Sequence, residues 1–284
     1  MLFFLDVVMV AGFLRKMRIE SSVPLTYSLA FSDNSLVPLS SYLGKRVRLH
    51  FSGAAQCVSC SRDIKKTFNQ GYCYPCFTSL AACDTCIVKP ELCHFSQGTC
   101  REPNWGLSFC MQPHIVYLAN SSGLKVGITR QTQIPVRWFD QGAVQALPLY
   151  ELPSRYASGL CEVVIKKHLA DKTNWRAMLQ GDQKMVDLHA FWTDFELQYA
   201  IEQSFSQNPI LHGQYRQLYK DNNAVEIHYP VSSYEGKIKT INIEKSPSYE
   251  GVLRGVKGQY LLFHDAVINV RKYTGYHCVI ELLP

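Results

Sequence analysis

Cysteines crowd into one short stretch of this chain, and their spacing limits the possible folds more than any other feature does. Eight of the eleven cysteines lie between residues 57 and 100, in a stretch rich in turn formers and poor in periodic hydrophobic residues. The first four, Cys57, Cys60, Cys73 and Cys76, follow the pattern C-x2-C-x12-C-x2-C. A two-residue gap places two thiolates on one side of a tight turn, as tetrahedral zinc requires. The spacing predicts a zinc-binding cysteine module at residues 53–112, held together by metal instead of a hydrophobic core.

A second set of four follows at Cys83, Cys86, Cys93 and Cys100. It offers enough thiolates for a second closed site, with His94 as a further ligand, and both consecutive and interleaved pairing of the eight thiolates remain open. Four thiolates leave no open position on the metal, so one or two zinc ions here would be structural and not catalytic. An iron–sulfur cluster is the alternative, because such clusters also take sets of cysteines. Reduced thiols in a metal site predict a cytoplasmic protein.

The composition indicates a globular protein with hydrophobic cores of its own. The chain has 284 residues, of which 47% are hydrophobic, and this is enough for two small domains or one elaborated domain. The net charge of +6 favours a nucleic-acid or phosphate partner by its sign but is too modest to require one. The cysteines outside the two sets, Cys110, Cys161 and Cys278, are predicted to be ordinary buried thiols.

The N-terminal stretch MLFFLDVVMVAGFLRKM resembles a signal peptide only superficially. Its positive charges follow the apolar run instead of preceding it, Asp6 interrupts the run, and the run is too short to span a bilayer. Two interpretations remain for residues 1–16. They form an additional amphipathic segment packed on the body, or they reflect start-codon choice, with Met17 as the natural start, and the second interpretation is preferred.

Alternating apolar and polar residues predict antiparallel strands on both sides of the cysteine module, at residues 17–52 and 206–284. The C-terminal module is predicted to be all-β and to form a barrel if the N-terminal strands complete it. Residues 113–205 are predicted to form an α/β domain between these strands. The predicted fold class is therefore α+β.

Within the α/β domain, HIVYLAN and LKVGITR are predicted to form a hairpin around the turn SSG. Pro135 is suited to the first turn of a helix, and Ser154 is a candidate N-cap for a second helix. The segment ALPLYELP between them is a third strand, and residues 187–205 are predicted to form a third helix.

This order of elements resembles the GIY-YIG nuclease domain. VY at 116–117 and KVG at 125–127 stand where that domain has its two motifs, and Arg137 and Glu162 follow in the two helices. More closely, KVGITR, RWFDQGA and GLCEVVIKKHLADKTNW are similar to an uncharacterised prokaryotic family, domain-of-unknown-function family 2797, over most of the chain after Met17. The resemblance implies a core of β-hairpin, helix, strand and helix, with the cysteine module inserted in it or preceding it. It implies no established activity.

The GIY-YIG resemblance also implies a chemistry. Phosphodiester cleavage needs a nucleophilic water, a base, and positive charge on the transition state. In such nucleases a tyrosine hydroxyl is the base, an arginine stabilises the phosphate and a glutamate holds a divalent cation. These roles would fall to Tyr117, Arg137 and Glu162, with Mg²⁺ or Mn²⁺ as the cation. Lys125 replaces the tyrosine of the second motif; a lysine can neutralise phosphate but lacks the acceptor of a phenol.

Each of these residues also has an ordinary structural interpretation. Tyr117 fits a strand tyrosine with its ring in the core, and Arg137 fits an ion pair with Asp140 one helical turn away. Glu162 favours a site role, because a carboxylate surrounded by apolar helix residues needs a reason. The rest of the RWFDQGA segment offers three further candidates to line the same site: Trp138, Asp140 and Gln141.

Basic residues alternate with aromatic ones elsewhere in the chain, most densely near the C-terminus, and five residues are predicted to contact nucleic acid: Arg130, Lys257, Tyr260, Arg271 and Lys272. Cations of this kind bind phosphates, and aromatic rings stack under bases. The alternative is a solvated sheet face, since exposed lysine and arginine also prevent strand edges from pairing. Nothing in the pattern distinguishes DNA from RNA.

Three functions follow from these observations. The first is a metal-dependent nuclease, and the second is a non-catalytic nucleic-acid-binding or nucleotide-binding protein with structural zinc. The third is a zinc-stapled scaffold for protein interactions. A steep salt dependence of nucleic-acid affinity separates the first two from the third, because phosphate contacts release counterions.

Overall fold

A computed structural model describes residues 8–181, 183–232 and 238–283. The structure is mixed α+β with antiparallel sheets, as the sequence predicts. It divides into two compact units. Unit 1 draws on Met1–Thr78 and His228–Pro284, and unit 2 on Ser79–Ile227.

The strands of the described part are, in chain order, β1 (Val8–Glu20), β2 (Thr26–Phe31), β3 (Leu36–Pro38), β4 (Arg46–Gln56), β5 (Asp63–Ile64), β6 (His114–Asn120), β7 (Leu124–Arg130), β8 (Gln145–Leu152), β9 (Arg216–Gln217), β10 (Val225–Glu226), β11 (Lys239–Thr240), β12 (Ser248–Lys257), β13 (Tyr260–Phe263), β14 (Ala266–Asn269) and β15 (Tyr276–Leu282). The α-helices are α1 (Tyr74–Ser79), α2 (Pro103–Phe109), α3 (Val136–Asp140), α4 (Arg155–Ile165), α5 (Trp175–Gln180), α6 (Leu188–Tyr199) and α7 (Ile201–Ser206). Short 3₁₀ turns connect α1 to α2.

Unit 1 is built on one sheet that joins both ends of the chain. Its strand order is β11-β14-β13-β12-β4-β15-β1-β2-β3, with β5 also paired to β4. In β4, Val47, Leu49 and Phe51 are buried and the residues between them are exposed, the period-two pattern of a strand with one covered face. In the described residues β3 and β11 end the path without pairing with each other, so the sheet is not a closed barrel.

The N-terminal stretch contributes to this sheet. Residues 1–7 of the predicted extension at 1–16 lie outside the described residues, and the remainder belongs to β1. β1 pairs with β15 from Val8↔Leu282 to Phe13↔His277 and then with β2 from Leu14↔Phe31 to Glu20↔Thr26, with a register shift between Arg15 and Arg18.

Unit 2 contains a second antiparallel sheet in the order β10-β8-β6-β7, with β9 also on β8. Its core packs α4, α6 and α7 against these strands through residues that include Val116, Leu118, Tyr150, Trp192 and Phe205. Every residue of the central strand β6 is buried, so both of its faces are covered.

The helices that the sequence predicts in unit 2 begin where they are expected. Ser154 caps α4, its side chain accepting a hydrogen bond from the Ala157 N–H. The helix predicted at residues 187–205 is in fact two helices, because Ala200 adopts a left-handed conformation with φ of 47° and ends α6. The break positions Glu202 to accept hydrogen bonds from the buried Tyr150 hydroxyl and from Tyr219.

The two units divide the predicted cysteine module at residues 53–112 and the predicted C-terminal module at residues 206–284. The first cysteine set belongs to unit 1, where the Gln56 N–H donates to the Gly275 carbonyl and the Val58 N–H to the Gly71 carbonyl. The second set belongs to unit 2. Backbone pairing with strands distant in sequence, which spacing alone does not encode, decides this division.

Candidate functional site

The first cysteine set brings four sulfurs together. The Sγ atoms of Cys57, Cys60, Cys73 and Cys76 all lie within 4.8 Å of one another. Cys60 Sγ and Cys73 Sγ are 3.8 Å apart, which is about the sulfur–sulfur edge of a tetrahedron with Zn–S bonds of about 2.3 Å. The four residues therefore fit a closed tetrahedral metal site, in agreement with the sequence spacing.

Backbone N–H groups point at these sulfurs. The Cys73 N–H donates to Cys57 Sγ at 3.2 Å, and the Cys76 N–H donates to Cys73 Sγ at 3.5 Å. Burial raises the pKa of Cys57, but hydrogen bonds from the backbone of Cys60, Cys73 and Ser59 outweigh it and lower the pKa to about 6. The loop thus stabilises the thiolate form of Cys57, which is the form that binds metal. The neighbouring thiol of Cys73 acts the other way on Cys76 and raises its pKa to about 12.

The second predicted set, Cys83, Cys86, Cys93 and Cys100, is not brought together so tightly. In the described part of the chain, the other group with ligand atoms within 4.8 Å of one another joins Asp84, Cys86 and His94. The Asp84 Oδ2 atom lies 2.7 Å from Arg101 Nε and 3.5 Å from His94 Nε2. His94 Nδ1 lies 2.7 Å from the Thr99 hydroxyl. The local turns therefore place a carboxylate and an imidazole among these thiols.

Tyr117 lies on the central strand β6 and is fully buried. Its ring packs over the neighbouring strand at Gly127, where a Cβ would come within 2.7 Å of the phenol oxygen, and meets Trp138 edge-on with ring centroids 6.1 Å apart. The KVG motif therefore needs its glycine for this close approach. Burial raises the pKa of Tyr117, while the nearby Arg137 and Gln141 oppose the rise.

Lys125 is 5% exposed on β7, two residues before Gly127. The pKa of its ammonium is lowered to about 8, chiefly by burial and also by the charge of Arg137, whereas Glu162 and Asp171 act in the opposite direction. Arg137 is half-buried on α3. Lys125, Arg137 and Glu162, which come from three different elements, are therefore electrostatically coupled. We call Tyr117, Lys125, Arg137 and Glu162 the Tyr117 cluster.

Glu162 is half-buried on α4. Burial raises the pKa of its carboxyl to about 7; Lys166 and Arg155 lower it, and Asp171 and Glu91 raise it. Its environment thus holds two cations and two further carboxylates. A group of this kind changes charge near neutral pH, which ordinary surface carboxyls do not.

Several buried polar atoms around the cluster have no hydrogen-bond partner of normal geometry among the described residues. They are Tyr117 Oη, Trp138 Nε1 and Gln141 Oε1, and Glu91 Oε2 and Arg155 Nε share this property. Buried polar atoms are nearly always paired, so unpaired ones that gather in one place mark that place as a candidate binding site. Trp138 and Gln141 were predicted from sequence to line the site.

Sequence reasoning missed Glu91, Arg155 and Asp171. Glu91 reaches the cluster because the turn Pro90–Leu92 packs on α4 at Gly159, where a Cβ would lie 2.5 Å from Pro90 Cβ. Its Oε1 atom lies 3.4 Å from Lys166 Nζ. A glycine in the middle of a predicted helix is the one signal of this packing in the sequence.

The residues predicted to contact nucleic acid have different surroundings. In unit 2, the guanidinium of Arg130 stacks on the Phe109 ring at 3.9 Å. In unit 1, Lys257 is fully buried, with its amine 5.3 Å from the Tyr229 ring centroid, so it offers no surface for a phosphate. Tyr260 is half-buried and Lys272 is exposed. The half-buried Arg271 donates from Nε to the Gln70 side chain at 2.6 Å.

No helix within residues 8–181, 183–232 and 238–283 combines the length and the apolar character needed to cross a membrane. Searches of curated proteins and of solved structures gave no match. Residues 44–278 match the family described as "Protein of unknown function (DUF2797)". This match covers most of the chain, including both cysteine sets and the whole Tyr117 cluster. The chain therefore belongs to the DUF2797 family.

Proposed function

We propose that the Tyr117 cluster binds phosphodiesters and that the protein is a nuclease dependent on a divalent cation. One observation carries the proposal: the buried Lys125, with its pKa lowered to about 8, feels the charges of both Arg137 and Glu162, and the pKa of Glu162 is itself raised to about 7. Acidic groups with a raised pKa and basic groups with a lowered pKa concentrate at functional sites. Burying such groups without a ligand costs stability, so their presence indicates a function.

The residues divide into an anion-binding and a cation-binding part. Arg137 and Lys125 would contact the phosphate, where positive charge stabilises the transition state more than the ground state. Glu162 would hold Mg²⁺ or Mn²⁺, with Glu91 and Asp171 adding negative charge beside it. The cation, when bound, would supply an activated water and further positive charge.

Tyr117 has a different role in this proposal from the one that the GIY-YIG resemblance implies. Its buried hydroxyl has a raised pKa and stays protonated at neutral pH, so it is a poor base. It would instead orient Arg137, whose guanidinium lies beside it. We therefore treat Tyr117 as a positioning residue.

A second candidate is a non-catalytic protein that binds nucleic acid or a nucleotide at the same place. Two observations favour it. Lys125 is coupled to Glu162, where a cation would have to bind, and the Tyr117 hydroxyl is closed off from solvent. In this alternative Lys125 and Arg137 hold a phosphate group and no bond is cleaved.

The cysteines support a structural role in either case. We propose that Cys57, Cys60, Cys73 and Cys76 bind zinc, since four thiolates in a tetrahedron suit zinc and leave no position for substrate. The ion would fix the loop between β4 and α1.

The test is cleavage of labelled single-stranded, duplex, branched and structured RNA and DNA with Mg²⁺ or Mn²⁺. We expect the native chain to cut at least one substrate, and Glu162→Gln, which keeps the shape of the side chain, to lower the rate roughly 100-fold. The matched control is Glu226→Gln, because Glu226 is exposed on β10 of the same unit. It should cut like the native chain.

The outcomes separate the two candidates. Equal cutting by Glu162→Gln and the native chain would assign the activity to another site or a contaminant. If nothing is cut, binding without added Mg²⁺ or Mn²⁺ decides whether the second candidate holds. It predicts an affinity that falls steeply with salt, and a Lys125→Met variant whose salt slope is smaller by about one. Exposed Lys172→Met is the matched control for that measurement.

A further inference from the structure

Three metal-ligating atoms of different kinds converge in the turns of unit 2 that precede α2. A carboxylate oxygen of Asp84, the sulfur of Cys86 and a ring nitrogen of His94 all lie within 4.8 Å of one another. Each of these groups is a common ligand of zinc. The three residues also line one small cavity of about 10 Å³, which suits a single ion or water and excludes any organic ligand.

The turn Thr85–Ile87 positions the first two ligands. Asp84 is its N-cap and accepts a hydrogen bond through Oδ1 from the Cys86 N–H at 3.5 Å. The other oxygen, Oδ2, lies 2.7 Å from Arg101 Nε, and this ion pair holds the carboxylate in place. A carboxylate oxygen has two lone pairs, so Oδ2 can accept from Arg101 and still bind a metal ion.

The hydrogen bonds of His94 decide which of its two nitrogens is available. The Thr99 hydroxyl donates to the His94 carbonyl at 3.4 Å, so its oxygen is left to accept from Nδ1–H at 2.7 Å. With the proton on Nδ1, a neutral ring carries a lone pair on Nε2. A histidine ligand of zinc is usually held in this way, by a hydrogen bond that its other nitrogen donates.

The Nε2 atom of His94 faces Asp84 Oδ2 across 3.5 Å. Both atoms are acceptors in this arrangement, and two acceptors repel each other unless a proton or a cation lies between them. The distance fits a metal ion, because bonds of about 2.1 Å to tetrahedral zinc place an oxygen and a nitrogen ligand about 3.4 Å apart. A proton would join only these two atoms, whereas a metal ion also accounts for the nearby Cys86 sulfur.

We propose that Asp84, Cys86 and His94 bind a zinc ion. Cys86 binds as the thiolate and releases its proton to solvent, and no oxidation state changes. Three protein ligands leave the fourth tetrahedral position to a water molecule, in contrast to the closed site of the first cysteine set. The ion closes the loop of residues 84–94, whose middle turn, Pro90–Leu92, packs on α4. The inference is independent of any nuclease activity.

The first test is zinc content per chain, measured by mass spectrometry of the metals on full-length protein purified without chelators. We expect His94→Ala and Cys86→Ser each to contain one zinc ion fewer than the native chain. Two controls should keep the native content: Cys93→Ser, which changes another thiol in the wall of the same cavity, and His212→Ala, which changes an exposed histidine of unit 2. Unchanged zinc in His94→Ala would overturn the assignment, and so would loss of zinc from Cys93→Ser.

The second test needs no variant and so holds even if the changed chains do not fold. Zinc X-ray absorption of the native chain should show nitrogen or oxygen neighbours at about 2.0–2.1 Å as well as sulfur neighbours at about 2.3 Å. Sulfur neighbours alone would place all of the zinc in four-thiolate sites and would overturn the proposal.

Discussion

The first cysteine set and the Tyr117 cluster are both groups of four residues that could hold a ligand, yet they are assembled in opposite ways. The cysteines lie within twenty residues of sequence, and this one segment supplies all four sulfurs, which lie within 4.8 Å of one another. The Tyr117 cluster takes its members from β6, β7, α3 and α4, so it exists only when unit 2 is folded.

The two groups also differ in their energetics. The loop around Cys57 lowers the pKa of a ligand and prepares it for metal. The Tyr117 cluster does the reverse, since it buries Lys125 and Glu162 at some cost to stability. The first arrangement favours metal binding, whereas the second carries a cost of burial that a bound ligand would relieve.

The largest effect is expected from breaking the first set. Cys57→Ser removes one of four thiolates, so zinc should bind much more weakly and be lost. Because binding of structural zinc contributes roughly 10 kcal/mol or more to folding, the loop around the site should then unfold. Metal analysis should show one zinc fewer per chain, and limited proteolysis should cut between residues 57 and 76. Ser59→Ala, an exposed change in the same loop, should alter neither result. Retention of the metal in Cys57→Ser would contradict the site.

An intermediate effect is expected from Glu162. Its pKa in the folded chain, about 7, lies above the ordinary 4.5, so the folded chain binds more protons in this range and stability falls as pH rises from about 4.5 to 7. Glu162→Gln removes that loss. We expect the free energy of unfolding at pH 8 to rise by about 2 kcal/mol and to change little near pH 4.

Urea denaturation of both proteins at the two pH values measures this difference. The exposed carboxyl of Glu226 is the control, and Glu226→Gln should show no such pH dependence. A Glu162→Gln variant that is less stable than the native chain at pH 8 would mean that the carboxylate is satisfied by its neighbours and is not waiting for a ligand.

The smallest effect on stability is expected from Tyr117→Phe. The Tyr117 hydroxyl has no hydrogen bond of normal geometry among the described residues, so its removal should change the free energy of unfolding by less than about 1 kcal/mol. Tyr150→Phe on the adjacent strand is the matched comparison, because that hydroxyl donates to Glu202 at 3.1 Å. It should cost about 1–2 kcal/mol by leaving Glu202 short of a donor.

A denaturant titration compares the two variants. If Tyr117→Phe is the more destabilising, the hydroxyl has a structural partner and the Tyr117 cluster loses its main resemblance to an open site. If it is neutral to stability but weakens phosphate binding, the positioning role is supported.

Short-range features were readable from the sequence. The C-x2-C pairs, the β6–β7 hairpin with its SSG turn and the Ser154 cap each depend on residues a few positions apart. Local physical chemistry decides such features, and the structure contains all of them.

Features that depend on distant partners were not readable in the same way. The position of Glu91 beside Glu162 depends on the contact of Pro90 with α4, and the burial of Lys257 depends on the strands around it. Hydrophobic periodicity reports a covered face but not which element covers it.

The joining of both chain ends in one sheet has a consequence for synthesis on the ribosome. Unit 2 is contiguous, so its residues emerge together, whereas β4 pairs with β15, and the ion pair between Arg48 and Glu281 spans 233 positions. The apolar face of β4 must therefore wait for the C-terminal strands, while unit 2 can already be folded. During that interval the cysteines from Cys57 to Cys76 have been synthesised but the sheet beside them is not yet formed. Early binding of metal would protect their thiols from oxidation.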